Sequence, residues 1–180
     1  MEHGEDDLTR RSQRGDPEAF GLLVKRYAGR ATALAAVLVG NHADAVDLSQ
    51  EAFVRAWRHI GSFRGHSSFF AWYCRILRNA CFSWLKRRRR TGAVPLVDDR
   101  YAAGAPDPAV LAERSDEIDR LWAAIFRLST EHREIIMLAH FQDLSYKEMA
   151  AALEIPVGTV MSRLHGARKK LRTQLGGPQP

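Results

Sequence analysis

Residues 144–172 read LSYKEMAAALEIPVGTVMSRLHGARKKLR, and their pattern decides how the chain is built. Ser145 and Glu148 stand three apart as S-x-x-E, the pairing that satisfies free N–H groups at the start of a helix. Met149, Ala150 and Leu153 give that helix an apolar stripe. Pro156 cannot continue it, so the spacing predicts a turn over Glu154–Pro156 and a restart near Gly158–Thr159. In the second helix Val160, Leu164, Ala167 and Leu171 fall on one face. Ser162, Arg163, His165, Arg168, Lys169, Lys170 and Arg172 fall mostly on the other. Two short helices with a tight turn and a basic outer face make a helix-turn-helix, whose second helix can enter a major groove and neutralise phosphates. A solvated basic helix in an ordinary bundle has the same pattern, so the rest of the chain must choose.

Working outward, the 180 residues hold 27 Lys and Arg against 21 Asp and Glu, a net charge of +6. That balance suits a polyanionic partner, but placement says more than the total. Lys86–Arg90 is five cations in succession, and Arg163–Arg172 contains five more. Hydrophobic residues are 46% of the chain, enough for a packed core. The run Ala31–Gly40 is far short of the ~20 apolar residues that span a bilayer, and the acidic, polar N-terminus has no leader character. A cytoplasmic protein without membrane insertion is expected. Cys74 and Cys81 lie seven apart on a predicted helix, ~10 Å along its axis, too far to bridge each other. Two buried, reduced thiols are the plain reading, and a redox role stays open. No Cys/His set has zinc spacing, so neither metal nor cofactor is expected.

From Leu8 to Arg90 nearly everything reads as helix. Asp16-Pro17 is a cap followed by a first-turn proline. Phe20, Leu23, Val24, Tyr27, Ala31, Leu34 and Leu38 then make a long core-facing stripe, which Gly40-Asn41 ends. A second helix is predicted over Ala43–Ile60, with Val46, Phe53, Trp57 and Ile60 inward. A loop, Gly61–Ser67, leads to a third long helix ending in Lys86–Arg90. Thr91–Pro108, TGAVPLVDDRYAAGAPDP, is rich in proline and small residues and has no periodicity, so it reads as a flexible linker. Periodicity resumes from Ala109 to Leu128, and Ser129–Glu131 looks like the cap of a helix over Glu131–His140. The fold class is therefore all-α: two small helical domains, 1–90 and 110–175, joined by a linker over 91–109, with a tail at 176–180.

Three further patterns bear on function. Asp44, Asp47, Glu51, Arg55 and Arg58 form a narrow charged stripe on the second helix, acids first and arginines last. It is either a solvated face or a docking surface for a basic partner helix. Gly61–Tyr73, GSFRGHSSFFAWY, packs aromatics beside Arg64 and His66, as proteins that stack single-stranded bases do. Phe70, Trp72 and Tyr73 can equally be the core-facing start of the next helix. Phe63, between Gly61 and Gly65, is the aromatic best placed for function. Asn79 offers an amide to a base edge or is surface decoration. Lys86–Arg90 exceeds what a helix C-terminus needs and suits phosphate contact.

In this order the pieces resemble the extracytoplasmic-function type of sigma factor, a minimal two-domain member of the sigma-70 family. The stretches that carry the resemblance are GDPEAFGLLVKRY, DAVDLSQEAFVRAW, SFRGHSSFFAWYCRILRN and STEHREIIMLAHFQDLSYKEMAAALEIPVGTVMSRLHGARKKL, covering residues 8–175. The resemblance implies a regulator of transcription initiation, with sigma region 2 at 1–90 and region 4 at 110–175. By position, Asp44, Asp47, Gln50, Glu51 and Arg55 would dock on core RNA polymerase. Phe63, Arg64, His66, Ser67 and Asn79 would capture a flipped base of the promoter −10 element, with Lys86, Arg87 and Arg88 on the DNA backbone. Pro156, Thr159, Met161, Ser162, Arg163, His165, Arg168 and Lys169 would read duplex −35 DNA. The linker would thread toward the RNA exit path, where Asp98, Asp99 and Asp107 mimic nucleic-acid charge. Implied partners are core polymerase, promoter DNA and, as in many relatives, an anti-sigma protein, with no small-molecule substrate and no catalytic residues.

This sequence also departs from the family. Met161 and Gly166 stand where relatives often carry a base, and Ser83 where they often carry an acid. Two cations fewer on the recognition helix remove phosphate or guanine contacts, so the −35 preference does not transfer. Arg163, Arg168 and Lys169 are left to anchor it. Two competing readings make different demands. A free-standing helix-turn-helix repressor or activator needs a dimer seam or a sensor, and residues 1–90 show neither. A nuclease needs a site, yet the seven histidines are scattered, without H-E-x-x-H or a glycine-rich phosphate loop.

Overall fold

In a computed structural model of the chain, residues 4–90 and 116–176 are described, with side chains from 120 onward in the second part. The predicted linker, its three aspartates and residues 177–180 lie outside the described residues. Within them every regular element is helical: α1 (Glu5–Gln13), α2 (Pro17–Val39), α3 (His42–His59), a 3₁₀ turn (Ile60–Ser62), α4 (Phe69–Arg90), α5 (Asp116–Arg127), α6 (Thr130–His140), α7 (Tyr146–Leu153) and α8 (Val157–Gln174).

The helix starts follow from local chemistry. Asp16 Oδ1 accepts from the N–H groups of Glu18 and Ala19 at 2.9 and 3.1 Å, and Pro17 follows at the first turn. These donors, Ala19 first, and then Arg11 hold the Asp16 carboxyl below its ordinary value. Gly40, at φ 75°, closes α2 in the left-handed region that suits glycine. Asn41 then starts α3 by accepting from Asp44 N–H at 3.0 Å, so this helix begins before Ala43. The Ser145/Glu148 capping box is complete. Glu154, at φ 56°, makes the left-handed turn before Pro156, and α8 starts at Val157, close to the expected restart. Ser129 sits at the cap of α6, but its side chain makes no capping bond.

The N-terminal half packs α2, α3 and α4 around stacked rings. Phe53 and Tyr73 lie 4.2 Å apart, and Tyr27 and Phe70 4.7 Å apart. The inward face of α3 differs in detail from the expected one. Ala45, Leu48, Ala52, Phe53 and Ala56 are buried, while Val46 and Trp57 sit at its edges. Small residues let α3 approach α4 closely, and periodicity weighted by size overlooks them. Phe69, Phe70 and Tyr73 are core, and Trp72 is buried at the rim. The C-terminal half closes over Trp122, Ile125, Ile135, Met149, Leu153, Val160 and Leu164. Cys74 and Cys81 are buried free thiols. Burial raises Cys74 and pushes Cys81 up to about 12, so both stay protonated.

The two halves touch, α4 against α7 and α2 against α6. Arg30 Nε donates to Gln142 Oε1 at 2.9 Å, and Gln142 Nε2 donates back to the Arg30 carbonyl at 3.2 Å. Arg133 donates to the Val37 carbonyl at 2.9 Å. Arg78 Nε lies 2.9 Å from Glu134 Oε1, whose side chain is only 2% exposed. Arg75 and Glu154 pair at 3.4 Å on the surface.

Candidate nucleic-acid and polymerase interface

Three surfaces gather the residues singled out in the sequence. On the outer face of α3, Asp47, Gln50 and Glu51 are exposed and Arg55 is half-exposed. Glu51 and Arg55 pair one turn apart. Asp44 is half-buried and pairs with Arg88 at 3.1 Å. A residue expected on polymerase and one expected on DNA are thus bonded to each other here. Arg88 also lies over the Trp84 ring at 4.8 Å. Lys86 and Arg87 are exposed on the last turns of α4. Val54, half-exposed, adds an apolar spot to the α3 face.

The second surface is the loop between the 3₁₀ turn and α4. A cavity there is lined by Ser62, Phe63, Arg64, His66, Ser67, Trp72, Arg75 and Ala151. Phe63 is half-buried and leans on Trp72, ring centres 5.4 Å apart, with Phe69 behind at 6.5 Å. The ring is held from one side and open on the other, as a base-stacking platform requires. Gly65, at φ 70°, makes the bend that turns Arg64 and His66 outward. Four of the five predicted capture residues therefore surround one opening. Asn79 does not: it is exposed on α4, one turn beyond Arg75, and does not line the cavity. Sequence reasoning missed Arg75 and Ala151. Arg75 is one turn from Trp72 on α4, so an i+3 step from the aromatic loop would have found it. Ala151 comes from α7 and had no local signal.

The third surface is the outer face of α8. Met161, at 53% exposure, Ser162, His165, Arg168 and Lys169 point outward. Pro156 is exposed at the helix start, and Thr159 is half-buried. Val160, Leu164 and Ala167 face inward as expected. Arg163 departs from the expected outward position. Its side chain is 20% exposed and lies 3.6 Å from Glu131, so it braces α8 on α6. Arg168 Nε donates to His140 Nε2 at 3.1 Å. Burial, and then the Arg168 charge, lower His140 and keep it neutral as the acceptor. The outer face of α8 is thus mostly Met161, Ser162 and His165, with Lys169 exposed one turn further on. Among the described residues, no three His, Cys, Asp or Glu side chains group as metal ligands, and no helix is long and apolar enough to cross a membrane.

A charged helix face, an aromatic-lined loop cavity and a helix-turn-helix on two helical halves are the arrangement of a DNA-binding transcription factor. Residues 23–91 match the Sigma-70 region 2 family, and residues 118–171 match Sigma-70, region 4. The chain is 35% identical over 179 residues to the RNA polymerase sigma-H factor of Pseudomonas aeruginosa, covering 93% of this chain and 91% of that one. It is 35% identical over 175 residues to the ECF RNA polymerase sigma-E factor of Escherichia coli K12, covering 91% and 90%. The chain belongs to the sigma-70 family of RNA polymerase sigma factors, in its extracytoplasmic-function branch. Solved structures agree. CnrH in complex with the cytosolic domain of CnrY aligns with a TM-score of 0.70 and 29% identity over 96% of this chain and 97% of that one. RpoE bound to the anti-sigma factor NepR from Bartonella quintana aligns with the same score and identity over 87% and 96%. Membership sets aside the free-standing repressor.

Proposed function

We propose that this sigma factor divides promoter recognition among its three surfaces. The outer face of α3, with Asp47, Gln50, Glu51 and Arg55, docks on core RNA polymerase. Phe63, Arg64, His66 and Ser67 take an unpaired −10 base into their cavity. The outer face of α8 reads duplex −35 DNA. The observation that carries this reading is the cavity: the half-buried Phe63 ring, the basic side chains of Arg64, His66 and Arg75, and two serines converge on a space beside Trp72. Stacking the captured base on Phe63 offsets unstacking that costs a few kcal/mol. The chain makes and breaks no bond; polymerase does the chemistry. It works in the cytoplasm, and an anti-sigma protein of the kind bound to the related RpoE is its expected inhibitor.

The same reading requires the halves to part. The −35 and −10 elements lie ~25 base pairs apart, about 85 Å of duplex. Helix α2, at 23 residues, spans only ~35 Å. A molecule with α4 packed on α7 cannot hold both elements, and Ala151 of α7 stands at the rim of the capture cavity. Separation both lengthens the grip and clears the rim.

Run-off transcription with purified core polymerase tests the reading. Promoter-specific transcripts are expected only when this chain is added, and their absence across a genomic promoter set overturns it. Asp47→Arg with Glu51→Arg should abolish co-purification with core polymerase. Undiminished co-purification would move the docking face elsewhere.

A further inference from the structure

The loop that carries Phe63 is held by a helix that lies before the matched region 2 segment, which begins at residue 23. Gln13, on the last turn of α1, donates through Nε2 to the Phe63 carbonyl at 2.7 Å and to the Ile60 carbonyl at 3.3 Å. These two carbonyls bracket the 3₁₀ turn from which the loop springs. The opposite end of α1 holds the loop's other end. Glu5 Oε1 accepts from the Phe69 N–H at 2.7 Å, capping α4, while Glu5 Oε2 accepts from Tyr27 Oη–H. One short helix therefore pins both ends of the segment 60–69. Between the pins Arg64, Gly65 and His66 are exposed.

The arrangement also places Phe63 and Arg64 as a shared wall. The capture cavity lies on one side. A second cleft lies on the other, lined by Thr9, Arg10 and Gln13 of α1 together with Phe63, Arg64 and Gly65. The Phe63 ring rests on Trp72 and Phe69, but Arg64 and Gly65 beside it are exposed, so the backbone of the wall depends on bonds from α1. We propose that Gln13 is a positioning residue for strand capture, its side-chain amide setting where Phe63 and Arg64 stand before DNA arrives. The chemistry asks for a donor. The amide N–H groups face two carbonyl oxygens, whereas a carboxylate in the same volume would face them with like partial charge. A loop set in advance loses less conformational freedom when it closes on a base. This inference rests on the strand-capture reading.

The test uses holoenzyme on a promoter active in the run-off assay, with permanganate reactivity of unpaired −10 thymines as the measure of opening. Core affinity and the melting temperature of the free protein are measured beside it. Gln13→Glu should reduce the open-complex equilibrium about tenfold, in line with two neutral hydrogen bonds replaced by repulsion. Core affinity should stay unchanged, and the melting temperature should fall by no more than a few degrees, as the loss of two local hydrogen bonds implies. Gln13→Lys, which restores a donor, should recover most of the opening, whereas a merely structural role would move core affinity in step with opening. The proposal is overturned if Gln13→Glu opens DNA like the parent, if Gln13→Lys is as poor as Gln13→Glu, or if the defect is matched by an equal loss of core affinity. Phe63→Ala separates the two levels. If it too opens DNA normally, strand capture at this loop is wrong. If it is defective while Gln13→Glu is normal, only the positioning role is wrong.

Discussion

Inside the N-terminal half, α3 meets α4 ring on ring, with Phe53 stacked on Tyr73 at 22°, and α2 meets α4 through Tyr27 and Phe70. Between the halves the apolar cores run together, and the seam adds side-chain bonds: Arg78 with Glu134, Arg30 with Gln142, Arg133 with the Val37 carbonyl, Arg75 with Glu154. Water can replace a hydrogen bond or an ion pair with little net loss, but it cannot replace a buried aromatic contact. The first seam therefore fails only when the domain unfolds. The second is the seam that the proposed two-point grip on promoter DNA requires to part while both domains stay folded.

The largest effect that separates the two seams is expected inside the first. Phe53→Ala should cost about 3–5 kcal/mol and lower the melting temperature of the N-terminal half. If calorimetry instead shows a loss below ~1 kcal/mol, the ring stack is not what holds α3 to α4. The next effect belongs to the second seam and depends on pH. Burial raises the Glu134 carboxyl to about 7 from an ordinary 4.5, and Glu131 adds to the rise while Arg78 and Arg163 oppose it. If parting the halves exposes Glu134 to water, the closed form holds a proton that the open form releases. Its contribution to closure is complete below about 4.5, declines as pH rises, and is gone above about 7. The change is on the order of 3 kcal/mol over that window. Energy transfer between dyes placed on α2 and α8 should fall as pH rises, and Glu134→Gln should flatten the response. A response that persists in Glu134→Gln assigns the titration to another group. The smallest effect is local. Ser145→Ala removes one arm of the capping box and should cost ~1 kcal/mol in the C-terminal half alone. A shift in the unfolding of the N-terminal half as well would mean that the halves are coupled more tightly than polar contacts allow.

The helices were legible because their punctuation is local. Asp16-Pro17, Gly40, the Ser145/Glu148 box and the Pro156 turn each act within four residues, so the sequence displays them directly. The inward face of α8 was legible for the same reason. What a face packs against was not. Arg30 and Gln142 are 112 positions apart and Gln13 and Phe63 are 50 apart, and nothing near either residue announces its partner. Glu134, inside the buried run of α6, looked like one more residue of an amphipathic helix, yet it is the buried acid in the seam. Arg163 shows the same limit at a functional site. Its place on the basic helix suggested DNA, and a contact with Glu131 in the neighbouring helix turns it into a brace.

Helix α8 contains Gly158 and Gly166, and a β-carbon at Gly158 would meet nothing within 4 Å, while one at Gly166 would meet only His132 at 3.7 Å. Packing does not demand glycine at either place, and each weakens a helix by ~1 kcal/mol relative to alanine. The buried fastenings of this rod are Val160, Leu164 and Ala167, all on one side. A rod wound loosely and fastened along one edge can bow to follow the floor of a groove. If it does read duplex DNA, its selectivity then rests less on a fixed helix shape than on the few side chains of its outer face.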